Sequence, residues 1–241
     1  MRYLFFPGCA ATSLLPKLKN TWHRILLRTV GEVEIYDKCC GLPLILTGSI
    51  DKAKKWFKEN VLDSLSGKNV VTGCPSCYRM LKQYVIEKLN IDPNYNVMHI
   101  AELIYQALER GKIRLEKEIG LRITYHDPCE LSRHMKIADI PRRILESIPG
   151  LEIVEMEMNR EYATCCGGGG LMRYLYPSVS HEISVMKIKN EILPLKVDAV
   201  VSACPFCEYI LGEAISSMNL NDKLVILDIA EIALLAMGED I

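Results

Sequence analysis

The ten cysteines of this 241-residue chain form two sets of five that share one order and a similar spacing. In each set a single cysteine comes first, a Cys-Cys-Gly follows, and a Cys-x-x-Cys ends the set. The sets are Cys9, Cys39, Cys40, Cys74 and Cys77, then Cys129, Cys165, Cys166, Cys204 and Cys207. A pattern that occurs twice in full restricts the chain to a duplicated fold in which each half builds its own site.

The repeat extends beyond the cysteines. Val70-Val71-Thr72-Gly73-Cys74-Pro75 matches Val200-Val201-Ser202-Ala203-Cys204-Pro205, and Ile100-Ala101-Glu102-Leu103 matches Ile229-Ala230-Glu231-Ile232. The offset rises only from 119 (Arg24 to Arg143) to 130 (Val70 to Val200), as a duplication with a few loop insertions would give. We place the junction in the charged segment 111–120, with domains at 1–115 and 116–241.

Apolar strand-like runs alternate with helical patterns in both halves. The expected strands of the first half are 2–6, 33–36, 69–72 and 96–99. The helices are expected from Thr12 or Ser13 to Gly31, over 49–65, from the Cys-x-x-Cys to about 89, and over 100–109, with Cys9 in a loop. Such alternation predicts an α/β fold of two pseudo-symmetric, Rossmann-like lobes, each a small parallel sheet flanked by helices. Loops at the carboxyl ends of parallel strands converge, so the five cysteines of a lobe should meet at one sheet edge.

The composition excludes several classes of function. A net charge of -1 gives no basic field for nucleic acid or an anionic membrane surface. No apolar run reaches the roughly 18 residues of a membrane span, and the first residues do not resemble a signal peptide. We therefore expect a cytoplasmic protein, in which clustered cysteines indicate metal or redox chemistry rather than structural disulfides.

Counting the ligands separates the kinds of site. Structural zinc and a cubane iron–sulfur cluster each use four ligands, so five cysteines per lobe exceed either requirement. Either one cysteine in each lobe is a free reactive thiol, or an unusual cluster uses all five. Zinc in one lobe or both, and a glutaredoxin-like dithiol at Cys204-Pro205-Phe206-Cys207, remain alternatives.

The complete double motif resembles the cysteine-rich CCG domain, in the arrangement of the B subunit of heterodisulfide reductase. The resemblance covers nearly the whole chain. It implies two non-cubane [4Fe-4S] clusters, held by the two sets of five cysteines, that reduce a small disulfide or oxidise thiols. Related CCG subunits of lactate, glycolate, glycerol-3-phosphate or succinate dehydrogenase complexes imply the alternative, electron transfer linked to a quinone.

The resemblance also implies partner subunits. The chain lacks the Cys-x-x-Cys-x-x-Cys-x-x-x-Cys-Pro run of ferredoxins, so electrons should arrive from elsewhere. The expected partners are a ferredoxin-like polypeptide and a flavin-containing polypeptide of the same complex.

Four further residues are predicted around the clusters. Gly41 and Gly167 can adopt positive φ, which lets both adjacent thiolates point inward, and Gly168 allows the backbone to approach a cluster closely. His126, near Cys129, could donate to a cluster sulfur or relay a proton. The alternative for His126 is a turn residue satisfied by the backbone.

Overall fold

Two four-stranded parallel sheets form the centre of the computed structural model, which describes residues 2–241. Their spatial orders, β2-β1-β3-β4 and β6-β5-β7-β8, are the same order repeated, which confirms the predicted pair of α/β lobes. The strands are β1 Tyr3–Phe5, β2 Glu34–Ile35, β3 Asn69–Thr72, β4 Asn96–His99, β5 Arg122–His126, β6 Glu152–Ile153, β7 Ala199–Ser202 and β8 Val225–Asp228. The strands β3 and β4 have the predicted bounds.

Helices connect the strands and cover both faces of each sheet. In the first lobe they are α1 Gly8–Leu14, α2 Pro16–Thr29, α3 Leu42–Leu46, α4 Ile50–Phe57, α5 Asp63–Leu65, α6 Pro75–Arg79, α7 Val85–Glu87 and α8 Ile100–Glu109. In the second lobe they are α9 Asp139–Glu146, α10 Met172–Leu175, α11 Pro177–Lys187, α12 Pro205–Ser217 and α13 Ile229–Ala236. Wider π-helical turns lie at Lys58–Leu62, Met80–Tyr84, Glu130–His134 and Ile188–Ile192, and short 3-10 turns lie at Arg160–Tyr162 and Leu193–Leu195.

The placement of Cys9 in a loop is wrong. Cys9 lies in the first turn of α1, which begins at Gly8 rather than at Thr12 or Ser13. The chain leaves helical geometry at Leu15 (φ -133°, ψ 63°) and α2 then begins at Pro16. Proline disfavours the α conformation in the residue before it and suits the first helical position, so Pro16 divides what the apolar spacing indicated as one helix.

A shared core holds the two lobes in a fixed orientation. It lies between the sheets, where α2 and α8 of the first lobe pack against α9 and α13 of the second. Trp22, Ile104, Ile144 and Ile232 are among its buried residues. Each lobe has a second apolar cluster on the outer face of its sheet.

The connection between α8 and β5 is part of this shared core, since Ile113, Leu115 and Ile119 are buried within it. The exact domain boundary at 115/116 stays a prediction. Within residues 2–241, none of the helices combines the length and the apolar character that a membrane crossing requires.

Candidate metal centre

The cysteine groups of each lobe follow three neighbouring strands. In the first lobe Cys9 follows β1, the Cys39-Cys40 pair follows β2, and Cys74 follows β3. In the sheet, β1 lies between β2 and β3, so the strand that follows β1 is added on one side of it and the next strand is added on the other. Parallel α/β sheets bind ligands in the crevice at such a switch point, at the carboxyl ends of the strands. The second lobe repeats the placement after β5, β6 and β7.

The first set of five is gathered around two buried thiols. The Sγ atoms of Cys40 and Cys77 are 3.5 Å apart. Cys74 is the residue before α6, so its side chain lies at the positive end of that helix, where thiolate is stabilised. Cys40, Cys74 and Cys77 are buried, Cys39 is half-buried and Cys9 is exposed.

The second set also has three buried cysteines, but its half-buried and exposed positions are exchanged relative to the first set. Cys166, Cys204 and Cys207 are buried, Cys129 is half-buried and Cys165 is exposed. Cys204 is the residue before α12, as Cys74 is before α6. All ten cysteines are free, so the thiols of both sets are available to a metal.

The two sets face one cavity between the lobes. Nine of the ten cysteines line it, namely Cys9, Cys39, Cys40, Cys74, Cys77, Cys129, Cys166, Cys204 and Cys207. The sequence predicted one cluster of thiols per lobe, but not that the clusters would share a cavity. Cys165 is the exception, because it does not line this space.

The rest of the cavity wall is mainly apolar. Leu42, Leu171 and Phe206 contribute to it, and the exposed side chains of Leu46 and Tyr174 lie at its edge. Within the described chain, Glu130 is the one acidic or basic side chain of the lining, and its Oε2 lies 2.9 Å from Nη1 of Arg79. This ion pair joins helix α6 of the first lobe to the turn after Cys129 of the second, next to the cysteines.

The predicted glycines turn the backbone beside the paired cysteines. Gly41 and Gly167 have φ of 86° and 95°, which an L side chain would adopt only with strain. Their N–H groups donate to the sulfur two residues earlier, at 3.4 Å to Cys39 and 3.2 Å to Cys165. Gly168 N–H likewise approaches Cys166 Sγ at 3.5 Å. Backbone donors of this kind stabilise negative charge on sulfur.

Close packing of the thiols spreads their pKa values. Hydrogen bonds from Cys40 and Cys9 lower the pKa of Cys39, and hydrogen bonding to Cys39 together with burial raises that of Cys9. In the second lobe, hydrogen bonds from Cys165 and Cys207 lower the pKa of Cys166. A metal centre that uses all these sulfur atoms must therefore displace protons, since it binds thiolates.

A buried ion pair that the sequence did not predict holds the loop before Cys129. Nη1 and Nη2 of Arg142 donate to the two oxygens of Asp127, both at 2.8 Å, and Nε donates to Glu155 Oε1 at 2.5 Å. The Asp127 side chain is 1% exposed and that of Arg142 is 4% exposed. Arg142 lies three residues before the buried Leu145 of α9, on the same face of that helix.

His126 is the last residue of β5 and is buried, so the alternative of a turn residue is wrong. A ring nitrogen of His126 and the sulfur atoms of Cys166 and Cys207 all lie within 4.8 Å of one another. Its Nδ1 is buried without a hydrogen-bond partner in the described protein.

The residues present fit an iron–sulfur cluster in each lobe. The donors are thiols, the apolar wall limits water, and backbone N–H groups point at the sulfur atoms, as in the surroundings that tune such clusters. Among the described lining residues, a hard, oxygen-binding cation would find a single carboxylate, Glu130, which is already paired with Arg79.

Comparison with known proteins agrees with this donor set. The sequence model of the cysteine-rich domain, CCG, matches residues 3–82 and 123–212, one copy in each lobe. The chain belongs to the CCG family. The two matched ranges contain all ten cysteines, while the edge strands β4 and β8 lie outside them.

Two of the similar proteins are named as reductase subunits. The D subunit of the dihydromethanophenazine:CoB–CoM heterodisulfide reductase of Methanosarcina barkeri is 32% identical over 98% of this chain and 59% of its own. The B subunit of the fumarate reductase (CoM/CoB) of Methanothermobacter marburgensis is 33% identical over 98% of this chain and 46% of its own.

A third relative is named for a quinone. The EtfAB:quinone oxidoreductase of Syntrophomonas wolfei is 26% identical over 98% of this chain and 34% of its own length. The CCG chain thus spans between about a third and three-fifths of these relatives.

Proposed function

We propose that this chain is the catalytic iron–sulfur subunit of a heterodisulfide reductase-like complex, with one non-cubane [4Fe-4S] cluster in each lobe. The cysteines of the two sets would hold the clusters. Such clusters supply one-electron chemistry and an iron site that can take up a substrate sulfur. Electrons would come from a ferredoxin-like partner, itself supplied by a flavin-containing one.

The observation that carries this proposal is the shared cavity. A disulfide has two sulfur atoms, and the cavity presents sulfur-rich sites from both lobes to one enclosed space. A chain that only carried electrons would not need both sites to face the same pocket. In the balanced reaction the S–S bond breaks, two electrons from the partner and two protons from solvent enter, and two thiols leave.

The chain's own residues would bind and enclose the substrate. The exposed edge residues Leu46 and Tyr174 mark an entrance, and Phe206, whose ring packs edge-to-face on Tyr174 at 6.4 Å, forms a wall behind it. Apolar walls exclude water and so strengthen electrostatic interactions inside the site. Arg79 offsets the charge of Glu130, the one carboxylate among the described lining residues.

The test is to count metal and then to offer substrates. Anaerobically purified protein should contain about eight iron atoms and as many acid-labile sulfides per chain. Cys74→Ala and Cys204→Ala are a matched pair, one per lobe, and each should lower the iron to about four. Stoichiometric zinc in place of iron would refute the proposal. With the clusters present, reduced protein should be reoxidised by small disulfides and give paramagnetic cluster signals.

A second candidate is an electron-transfer subunit that reduces a quinone, which the similarity to the EtfAB:quinone oxidoreductase favours. Reoxidation of the reduced protein by a soluble quinone, with no response to any disulfide, would support this candidate against the first.

A further inference from the structure

The two lobes differ at one position next to the cysteines. Phe5 pairs with Val71 in the first sheet and Tyr125 pairs with Val201 in the second, and Val71 and Val201 are equivalent in the repeat. The next residues are therefore equivalent as well, and they are Phe6 in the first lobe and His126 in the second. Both lie three residues before the first cysteine of their set.

The environments of these two side chains are closely similar. Phe6 is completely buried and His126 is 1% exposed. Phe6 packs in the apolar cluster that contains Cys40 and Cys77, and His126 lies against Cys166 and Cys207, the equivalent pair. Replacing the aromatic hydrocarbon by imidazole has thus placed a polar ring against the second set of thiols only.

No hydrogen bond from the His126 ring to another part of the described protein accounts for its burial. The oxygen that the residue offers to Ser202 Oγ, at 3.1 Å, is its backbone carbonyl. Its Nδ1 is buried without a partner, which is costly unless a group that the protein alone does not supply completes the site. The sulfur atoms of Cys166 and Cys207 lie within 4.8 Å of a His126 ring nitrogen, so a cluster held by these two cysteines would bring sulfur to the ring.

We propose that the His126 ring donates an N–H hydrogen bond to cluster-bound sulfur in the second lobe and thereby gives that lobe the higher reduction potential of the two. A hydrogen bond to sulfur stabilises the more negative, reduced form of a cluster. Phe6 offers no such donor. The first lobe then passes electrons on, and the second retains them at the substrate cavity. This inference rests on the proposed function, because it requires a cluster in each lobe.

The test is a redox titration of the anaerobic holoprotein, followed by the paramagnetic signals of the clusters. Wild type should show two midpoint potentials. His126→Phe copies the side chain that the first lobe tolerates, so it should fold, and it should lower the higher potential by about 59 mV, a tenfold change for one electron. His126→Gln, which keeps an N–H donor, should recover part of this shift. Phe6→Leu, an apolar change at the equivalent site, is the matched control and should leave both potentials unchanged.

The outcomes separate this inference from the proposed function. Iron-loaded protein whose potentials do not respond to His126→Phe, or respond equally to Phe6→Leu, would overturn the role of His126 and leave the disulfide reductase proposal intact. Protein that binds zinc instead of iron would overturn both.

Discussion

Replacing Arg142 by methionine should destabilise the second lobe and selectively weaken its metal site. Methionine keeps most of the apolar length of the side chain but removes the guanidinium, which makes four contacts of 2.5–2.9 Å with Asp127 and Glu155. Asp127 is then left buried with one remaining donor, the backbone N–H of Arg160 at 2.8 Å.

The magnitude follows from the burial of each partner. Removing one member of a buried ion pair costs about 3–5 kcal/mol, because the other charge stays desolvated. Glu155 is 34% exposed, so its separate loss adds at most about 1 kcal/mol. We therefore expect the free energy of unfolding to fall by about 3–6 kcal/mol. Since Asp127 lies two residues before Cys129, iron should fall towards half while the first lobe keeps its share.

The assay is anaerobic urea unfolding together with the iron content of the folded protein. The adjacent Arg143, exposed and bonded to the Tyr105 hydroxyl, offers a matched control. Arg143→Met removes the same charge and should leave the unfolding midpoint and the iron content unchanged. If Arg142→Met behaved like Arg143→Met, the ion pair would not support the Cys129 loop, and this reasoning would be refuted.

Two further substitutions test the contacts of Trp22, a buried residue of the shared core. A Cβ on Gly73 would overlap the indole ring of Trp22, so Gly73→Ala should lower the free energy of unfolding by about 1–3 kcal/mol. Gly169→Ala is the control, because a Cβ there meets nothing within 4 Å and should cost far less. Equal losses for the two variants in urea melts would contradict a clash at Gly73. Asp228 accepts a hydrogen bond from Trp22 Nε1 at 2.9 Å, and burial raises its pKa from 3.8 to about 7. Its contribution to stability is thus complete at acid pH and is lost as the pH rises through 7. The stability of Asp228→Asn relative to wild type should accordingly increase between pH 5.5 and 8 in urea melts, and a difference that stays constant over this range would show that Asp228 does not titrate there.

Local signals in the sequence were sufficient for much of the fold. The helix over 100–109 was predicted with its observed bounds, and in the structure the side chains of His99 and Glu102 close a capping box at its start. The repeat then transferred the same plan to Asp228 and Glu231, which form the equivalent box. Periodicity alone could not find the break at Leu15, which proline chemistry causes.

Contacts between the two lobes could not be predicted from the sequence of either half. The bond from Trp22 to Asp228 joins residues 206 apart, and the pair of Arg79 with Glu130 crosses the lobe boundary. The shared cavity depends on how four helices pack between the sheets, and no local pattern specifies that packing. The sequence of each half predicted that its five cysteines converge. That both sets line the same cavity depends on how the two lobes pack together.

The measurement that tests the central claim most directly is the metal and acid-labile sulfide content of protein purified without oxygen. Two CCG sites that each close around an iron–sulfur cluster predict about eight iron atoms per chain, a matching amount of sulfide, and little zinc. Stoichiometric zinc without sulfide, or cysteines recovered as disulfides from that preparation, would contradict the account.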